Sequence, residues 1–156
     1  MVSALATFFA GLSLVLIGGI AGVFFAYSVS VMRGLDGIRP EYAVPAMQSI
    51  NRKILNPVFL SAFVLAPVAA VIAGGLMLAL GRTGAAVAFF AATAAVNVPL
   101  NAALDAAGPP SDARAAEQLW SAFSGRWTRW NTIRTVISSV SLLLVGAALF
   151  AWGRDD

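Results

Sequence analysis

The chain has 156 residues, of which 60% are hydrophobic and 11% are charged. Its mean hydropathy is +0.85, whereas about a quarter of the residues in a soluble domain are charged, so an ordinary soluble domain is excluded. The net charge of +3 comes from basic residues that flank apolar segments, and it therefore indicates membrane topology rather than nucleic-acid binding.

The sequence contains no cysteine and no histidine. The lack of cysteine excludes disulfides, thiolate catalysis and iron–sulfur clusters. The lack of histidine removes the commonest metal ligand and the commonest proton shuttle near neutral pH. We therefore expect no metal site.

Long uncharged segments separate the charged residues. Residues 1–32, 54–81, 83–104 and 135–153 carry no charge, and one membrane span needs about 20 apolar residues. We predict a single domain covering residues 1–156, an all-α integral membrane bundle of four transmembrane helices. The spans are expected at about 5–32, 57–80, 85–105 and 127–152.

The connection between the first two spans contains EYAVPAMQSINRKIL, which predicts a short amphipathic helix at about 41–55. Asn51 falls within its apolar stripe, either as a local hydrogen-bond partner or cap, or as a polar group directed into the bundle. Asn56 and Pro57 then predict the capped start of span two. The stripe itself consists of Val44, Met47, Ile50 and Ile54.

The stretch GRWTRWNTIRT, residues 125–135, combines three arginines, two tryptophans and one asparagine. Taken alone, it is typical of an interfacial anchor. In a helix, two adjoining faces would carry its polar and aromatic groups. Arg126, Trp130 and Arg134 lie near the first face, and Trp127, Asn131 and Arg134 lie near the second.

Span three ends in NVPLNAALD, where Asn97, Asn101 and Asp105 share a helix face at spacings of four. Polar groups at such depth need partners. Asn97 to Asp105 rises about 12 Å, and Arg126 to Arg134 rises about 12 Å in the opposite direction. We expect the two stretches to face each other, either as a ligand site or as a structural polar clasp.

The third connection, AAGPPSDARAAEQLWSAFSG, predicts a turn followed by a second amphipathic helix at about 111–124. Both amphipathic helices should lie in the membrane interface. Lysines and arginines concentrate in the two long connections, while the opposite side has only Arg82 and Arg154. The positive-inside rule then places both long connections in the cytoplasm and both termini outside, in the inner or plasma membrane.

Four segments, GVFFAYSVSVMRGL, AMQSINRKILNP, NVPLN and RWTRWNTIRT, follow one another along the chain. Their order and spacing over about residues 18 to 145 resemble the anthrone oxygenase-like family of small four-helix membrane proteins. The resemblance implies an oxidoreductase that oxygenates a hydrophobic aromatic, polyketide-like substrate without a cofactor. In such chemistry the deprotonated substrate itself reduces O₂, so neither a metal nor a flavin is needed.

The resemblance also implies site residues. Asn97, Asn101 and Asn131 would hold the oxygens of the substrate, and Arg134 would stabilise its enolate, so these four are the predicted catalytic residues. The family pattern usually has a histidine where this chain has Thr132, which leaves the general base unassigned and a changed reaction, such as isomerisation or cyclisation, open. The residues predicted to bind substrate are Asn51, Trp127, Trp130, Asp105 and Arg126.

A second hypothesis is a non-catalytic accessory protein whose arginines hold an anionic lipid headgroup, a quinone or a partner subunit, since basic pockets between helices suit lipids. Under either hypothesis the expected partners are the membrane and a hydrophobic small molecule or lipid, without nucleic acid, and a homo-oligomer is left open. A transporter or channel is disfavoured, because no mid-membrane segment carries a charge.

Overall fold

The computed structural model describes residues 1–84, 104 and 106–155, and every regular element in these ranges is a helix. Apart from Leu104, the predicted third span lies outside the described residues, as do its Asn97, Asn101 and Asp105. The described elements are α1, Val2–Ala26; a π-helical turn, Tyr27–Val31; α2, Met32–Asp36; α3, Pro40–Ile54; α4, Pro57–Ala79; and α5, Ala113–Asp155.

Three of the described helices are long and apolar enough to cross a membrane. They are Val2–Asp36, which joins α1, the π turn and α2, then Pro57–Ala79, and Ala113–Arg154. The expected all-helical class, with long apolar helices, is therefore confirmed for the described part of the chain.

Helix α4 begins and ends at signals that are local in sequence. The Asn56 side chain accepts a hydrogen bond from the Phe59 amide at 3.0 Å, and Pro57 occupies the first turn, which confirms the predicted cap. At the other end, Gly81 has a φ of 74°. The Arg82 amide bonds back to the Met77 carbonyl at 2.8 Å, so the helix ends in a Schellman turn.

Helix α5 differs from the expectation of an interfacial helix at about 111–124 followed by a separate span. It is one helix of 43 residues, and Asp112 caps its start by accepting from the Ala115 amide at 2.8 Å. Gly125 is the weakest helix former at the expected break, and an interior glycine costs only about 1 kcal/mol relative to alanine. Trp120 and Trp127, on either side of it, are buried in one apolar cluster, which holds the helix together across this point.

Helix α1 packs against α4 and α5 through small residues. It runs antiparallel to α5, because a Cβ added at Gly18 would lie 3.6 Å from Leu142, while Gly146 faces Leu14. Small side chains allow helices to approach closely in a membrane. The cluster at the end of the molecule that holds the start of α1 contains Ala6, Ala10, Ile17, Ala66, Ala70, Ala73, Met77, Val145, Ala148 and Trp152.

The other end of the molecule gathers both long connections. Gln48 of α3 donates hydrogen bonds from Nε2 to the carbonyls of Leu104, at 3.0 Å, and Gly108, at 2.8 Å. Asp36 at the end of α2 accepts from Trp120 Nε1 at 2.9 Å. The apolar cluster there contains Met32, Leu35, Ala43, Val44, Met47, Leu104, Trp120, Phe123 and Trp127.

Candidate functional site

A cleft of about 160 Å³ lies between α1, α3, α4 and α5, beside the π turn. Its wall is mostly apolar and aromatic. The apolar and aromatic lining residues are Val23, Phe24, Tyr27, Ile54, Leu55, Phe59, Leu60, Phe63 and Trp127, and the polar ones are Asn51, Asn131 and Arg134.

Four of the predicted site residues line this cleft: Asn51, Trp127, Asn131 and Arg134. Their positions on α5 explain the grouping. At about 100° per residue, Trp127, Asn131 and Arg134 fall within an arc of about 60° around the helix axis. The structure therefore turns the second of the two predicted faces of α5 toward the cleft.

The other predicted residues are not in the described cleft wall. Trp130 is 42% exposed, and Arg126 is exposed. On the helix they lie about 60° and 100° away from Trp127, outside the arc that faces the cleft. The proposed pairing of Asn97, Asn101 and Asp105 with this stretch involves residues outside the described ranges.

Asn131 connects α5 to α1. The side chain is 1% exposed, and its Nδ2 lies 2.7 Å from the Phe24 carbonyl oxygen and 2.7 Å from Ser28 Oγ. An asparagine amide has two N–H donors, and these two acceptors use both. Any contact between Asn131 and a ligand is therefore left to its Oδ1, which is an acceptor.

The π turn lies where Asn131 binds. Phe24 is in the last turn of α1, and the π-helical residues begin at Tyr27. A π turn shifts backbone hydrogen bonds from four to five residues and so changes which carbonyls have helical partners. The Phe24 carbonyl accepts from the Tyr27 amide of its own helix and from the Asn131 side chain of a neighbouring helix. A bond of this kind constrains the rotation of the two helices relative to each other.

Asn51 differs from Asn131 in its hydrogen bonding. It is 4% exposed, and within the described part of the chain no acceptor lies in hydrogen-bond reach of its Nδ2. Of the two alternatives left open by the sequence, the geometry supports a polar group directed into the bundle, because Asn51 lines the cleft and makes no local bond through its amide nitrogen.

Aromatic rings and one cation form the rest of the wall. The Tyr27 and Trp127 ring centroids are 5.6 Å apart at an angle of 41°, and Phe59 stacks on Phe63 at 5.8 Å. The guanidinium carbon of Arg134 lies 5.8 Å from the Phe24 ring centroid, within cation–π range. The cleft thus combines flat apolar surfaces with a positive charge.

Thr132, at the position where the resemblance would place a histidine, is not a cleft-lining residue. Its Oγ1 lies 2.8 Å from the Thr128 carbonyl oxygen and 3.2 Å from Ser28 Oγ. The side chain therefore contacts α1 and its own helix, about 100° around the axis from Asn131.

Several residues of the site were not singled out from the sequence. Phe24, Tyr27 and Ser28 belong to GVFFAYSVSV, where three hydroxyl-bearing residues interrupt an apolar run. That interruption was the available signal, because a polar side chain in a span usually has a partner on a neighbouring helix. Phe59 and Phe63 lie in the apolar sequence of α4, where Ser61 between them is a similar interruption.

Chemically, the cleft can hold a flat apolar molecule that carries an oxygen. The aromatic walls supply dispersion and stacking, Asn51 supplies an N–H donor, and Arg134 supplies positive charge near any developing oxyanion. Within the described residues, no group of three or more acidic, histidine or cysteine side chains is placed to hold a metal ion.

A protein-family model described as anthrone oxygenase matches residues 46–144, which is more than half of the chain. No curated protein matches the chain, and no solved structure does. The matched segment includes Asn51, Trp127, Asn131 and Arg134, while the α1 side of the cleft lies before it.

Proposed function

The chain belongs to the anthrone oxygenase family, and on that premise we propose that it is a small membrane enzyme that oxygenates a hydrophobic aromatic, polyketide-like substrate without a cofactor. The observation that supports this most directly is the composition of the cleft. Aromatic rings line it together with the guanidinium of Arg134 and the amide nitrogen of Asn51, which has no acceptor among the described residues. A flat ketone that becomes an enolate matches that set of groups.

The proposed reaction converts an anthrone and one O₂ into an anthraquinone and one water. A proton leaves the methylene carbon between the two outer rings, and the electron pair left on that carbon forms a C–O bond with O₂. The resulting peroxide anion takes up a proton, and the hydroperoxide loses water to give the second ketone. All electrons come from the substrate, so the balance needs no flavin or metal.

The chain's contribution is to stabilise negative charge and to position the ring. Arg134 lies beside Phe24, where a guanidinium would stabilise an enolate oxygen more strongly than water does, since the surrounding wall is apolar. Trp127 and Tyr27 would stack on the substrate. No described lining residue carries a carboxylate, so the proposal assigns the proton to a base from solvent, which the acidity of a hydroxylated anthrone permits.

The test uses purified protein in lipid nanodiscs with 1,8-dihydroxyanthrone. Oxygen uptake and anthraquinone absorbance are followed together, and empty nanodiscs give the rate of spontaneous oxidation. The proposal expects equal amounts of O₂ consumed and anthraquinone formed, at a rate well above the blank.

A rate no higher than that of empty nanodiscs would contradict oxygenation of this substrate class. Isomerised or cyclised product without O₂ uptake would instead show that the cleft stabilises an oxyanion in another reaction. A phospholipid or quinone retained in native mass spectra of such an inactive protein would favour the accessory-protein alternative.

We also propose an orientation in the membrane, with both long connections in the cytoplasm and both termini outside. The distribution of Lys and Arg supports cytoplasmic long connections and external termini, and the bonds from Gln48 to the carbonyls of Leu104 and Gly108 bring the two connections to the same end of the molecule. The cleft is at that end, so a hydrophobic substrate would enter from the inner leaflet.

A further inference from the structure

Asn51 has unused hydrogen-bonding capacity inside the cleft. It is 4% exposed, and its Nδ2 has no acceptor among the described residues. A buried amide without a partner costs about 1–3 kcal/mol of stability. Natural structures leave few such groups unpaired, and each one points to strain, an unseen water or a ligand.

The neighbouring amides show that this state is specific to Asn51. Gln48, about one turn earlier on α3, uses its Nε2 on two backbone carbonyls. Asn131, across the cleft, uses both N–H groups of its Nδ2 on α1. Among these three buried amides, only Asn51 has an N–H available for a ligand, and the ligand atom that it would bind is an acceptor such as a carbonyl or phenolate oxygen.

The size of the cleft sets the second property of the ligand. The volume is about 160 Å³, and an apolar protein cavity of about 150 Å³ binds one benzene ring. A fused three-ring system needs considerably more space than this. A cleft of this volume matches one aromatic ring, so the other rings of such a molecule would extend out of it.

We propose that the cleft takes one oxygen-bearing aromatic ring and that Asn51 Nδ2 donates a hydrogen bond to the oxygen on that ring. That the ligand is aromatic rests on the proposed function. Two points are new: Asn51 positions the oxygen of the ligand, and single-ring aromatic ketones bind.

The experiment compares acetophenone with cumene, which has the same ring and a similar shape but no oxygen. Equilibrium dialysis against protein in nanodiscs gives both affinities, and empty nanodiscs correct for partition into lipid. Cumene is the more hydrophobic of the two, so the quantity to compare between proteins is the ratio of the affinity for acetophenone to that for cumene. In Asn51→Leu the ratio of the two affinities should fall about fivefold, which corresponds to about 1 kcal/mol for one hydrogen bond.

The stability of the ligand-free protein is the second readout. Asn51→Leu keeps the branched shape of the side chain and removes an unpaired amide beside an open cleft, so the unfolding midpoint should stay the same or rise. Gln48→Leu, the matched control on the same helix, breaks two hydrogen bonds and should lower the midpoint. An unchanged or higher midpoint in Asn51→Leu indicates a ligand-binding group, whereas a lower midpoint, as expected for Gln48→Leu, indicates a structural one.

Three results would overturn the inference. One is binding of acetophenone no greater than that of empty nanodiscs, which needs no variant. Another is an affinity ratio that is unchanged in Asn51→Leu or, where that variant does not fold, in Asn51→Ala, which also lacks the N–H donor. Neither probe has to be oxidised, so binding that depends on Asn51 stands even if the anthrone is not turned over. The third overturning result is turnover of the anthrone that does not change in Asn51→Leu. That result would contradict the role of Asn51 and leave the proposed function intact.

Discussion

Asn131 Nδ2 donates a hydrogen bond of 2.7 Å to the backbone carbonyl of Phe24, a residue 107 positions earlier in the chain. This bond joins α5 to α1 just before the π turn, and a second bond to Ser28 Oγ, also 2.7 Å, completes the contact. The site therefore depends on a contact between two long apolar helices, and this contact also forms part of its wall.

Removing the Asn131 amide should destabilise the fold. Asn131→Ala leaves the Phe24 carbonyl without this donor, and we expect the free energy of unfolding to fall by about 1–3 kcal/mol. Thr132→Val is the matched control, because between helices it removes only a contact of 3.2 Å to the same serine; its other bond is to the Thr128 carbonyl of its own helix, and the variant should cost less. Unfolding in mild detergent, followed by circular dichroism, measures both. An Asn131→Ala protein that is as stable as the wild type but inactive would instead show that the amide acts on substrate.

The two tryptophans of RWTRW should differ sharply in their effect on stability. Trp127 is 4% exposed and Trp130 is 42% exposed, although both belong to one short motif. Trp127→Ala should lower the free energy of unfolding by about 3 kcal/mol or more, because it leaves a cavity beside Tyr27 and Phe123. Trp130→Ala should cost about 1 kcal/mol or less. Similar losses for the two variants in detergent unfolding would contradict this assignment of faces.

Arg134 should matter for turnover. Arg134→Gln retains hydrogen-bonding atoms but removes the charge beside Phe24, and loss of one oxyanion-stabilising donor typically lowers kcat by about 100-fold or more. Arg129→Gln is the control, because Arg129 is exposed and lies outside the cleft wall. Initial rates of oxygen uptake with 1,8-dihydroxyanthrone compare the two. Equal rates would remove Arg134 from the proposed chemistry.

The turn after α4 should depend on a glycine at one position. Gly81 has a φ of 74°, where a side chain costs about 1–2 kcal/mol, so Gly81→Ala should lower the unfolding midpoint. Gly84→Ala serves as the control, since a Cβ there meets no atom within 4 Å, and it should leave the midpoint nearly unchanged. If both variants melt like the wild type, the Schellman turn does not contribute to stability.

Topology can be tested with single cysteines, because the natural sequence has none. Thr83 and Ser111 are both exposed and lie in connections that we propose to be on opposite sides of the membrane. In spheroplasts, a membrane-impermeant maleimide should label Thr83→Cys, and it should label Ser111→Cys only after lysis. The reverse pattern would invert the proposed orientation.

Much of the framework follows from short stretches of sequence. Uncharged runs of about 20 residues predict helices that can cross a membrane, because no other local structure satisfies the backbone in lipid. Asn56 followed by Pro57 predicts the start of α4, because the cap forms within four residues. The motifs around Asn51 and RWTRWNTIRT indicated the family that the match over residues 46–144 shows.

The division of roles within the site could not be predicted in this way. Helical periodicity relates Trp127, Trp130 and Asn131 to one another, but it does not say which side of α5 faces a neighbour. The bond from Asn131 to the Phe24 carbonyl, beside a π turn that no sequence pattern marked, selects that side. Together with the bond to Ser28 Oγ it uses both N–H groups of Asn131, whereas Asn51 Nδ2 has no acceptor among the described residues.

The sequence by itself determined the class of this protein, its long apolar helices and its family, because composition, capping and motif order act over short distances along the chain. Only the tertiary structure decided which arc of α5 lines a cleft, which tryptophan is buried and which described amide nitrogen has no acceptor. Those outcomes depend on hydrogen bonds and packing between helices about 100 residues apart, such as the bond from Asn131 to Phe24. These contacts set the rotation of each helix about its own axis, which no local sequence pattern encodes.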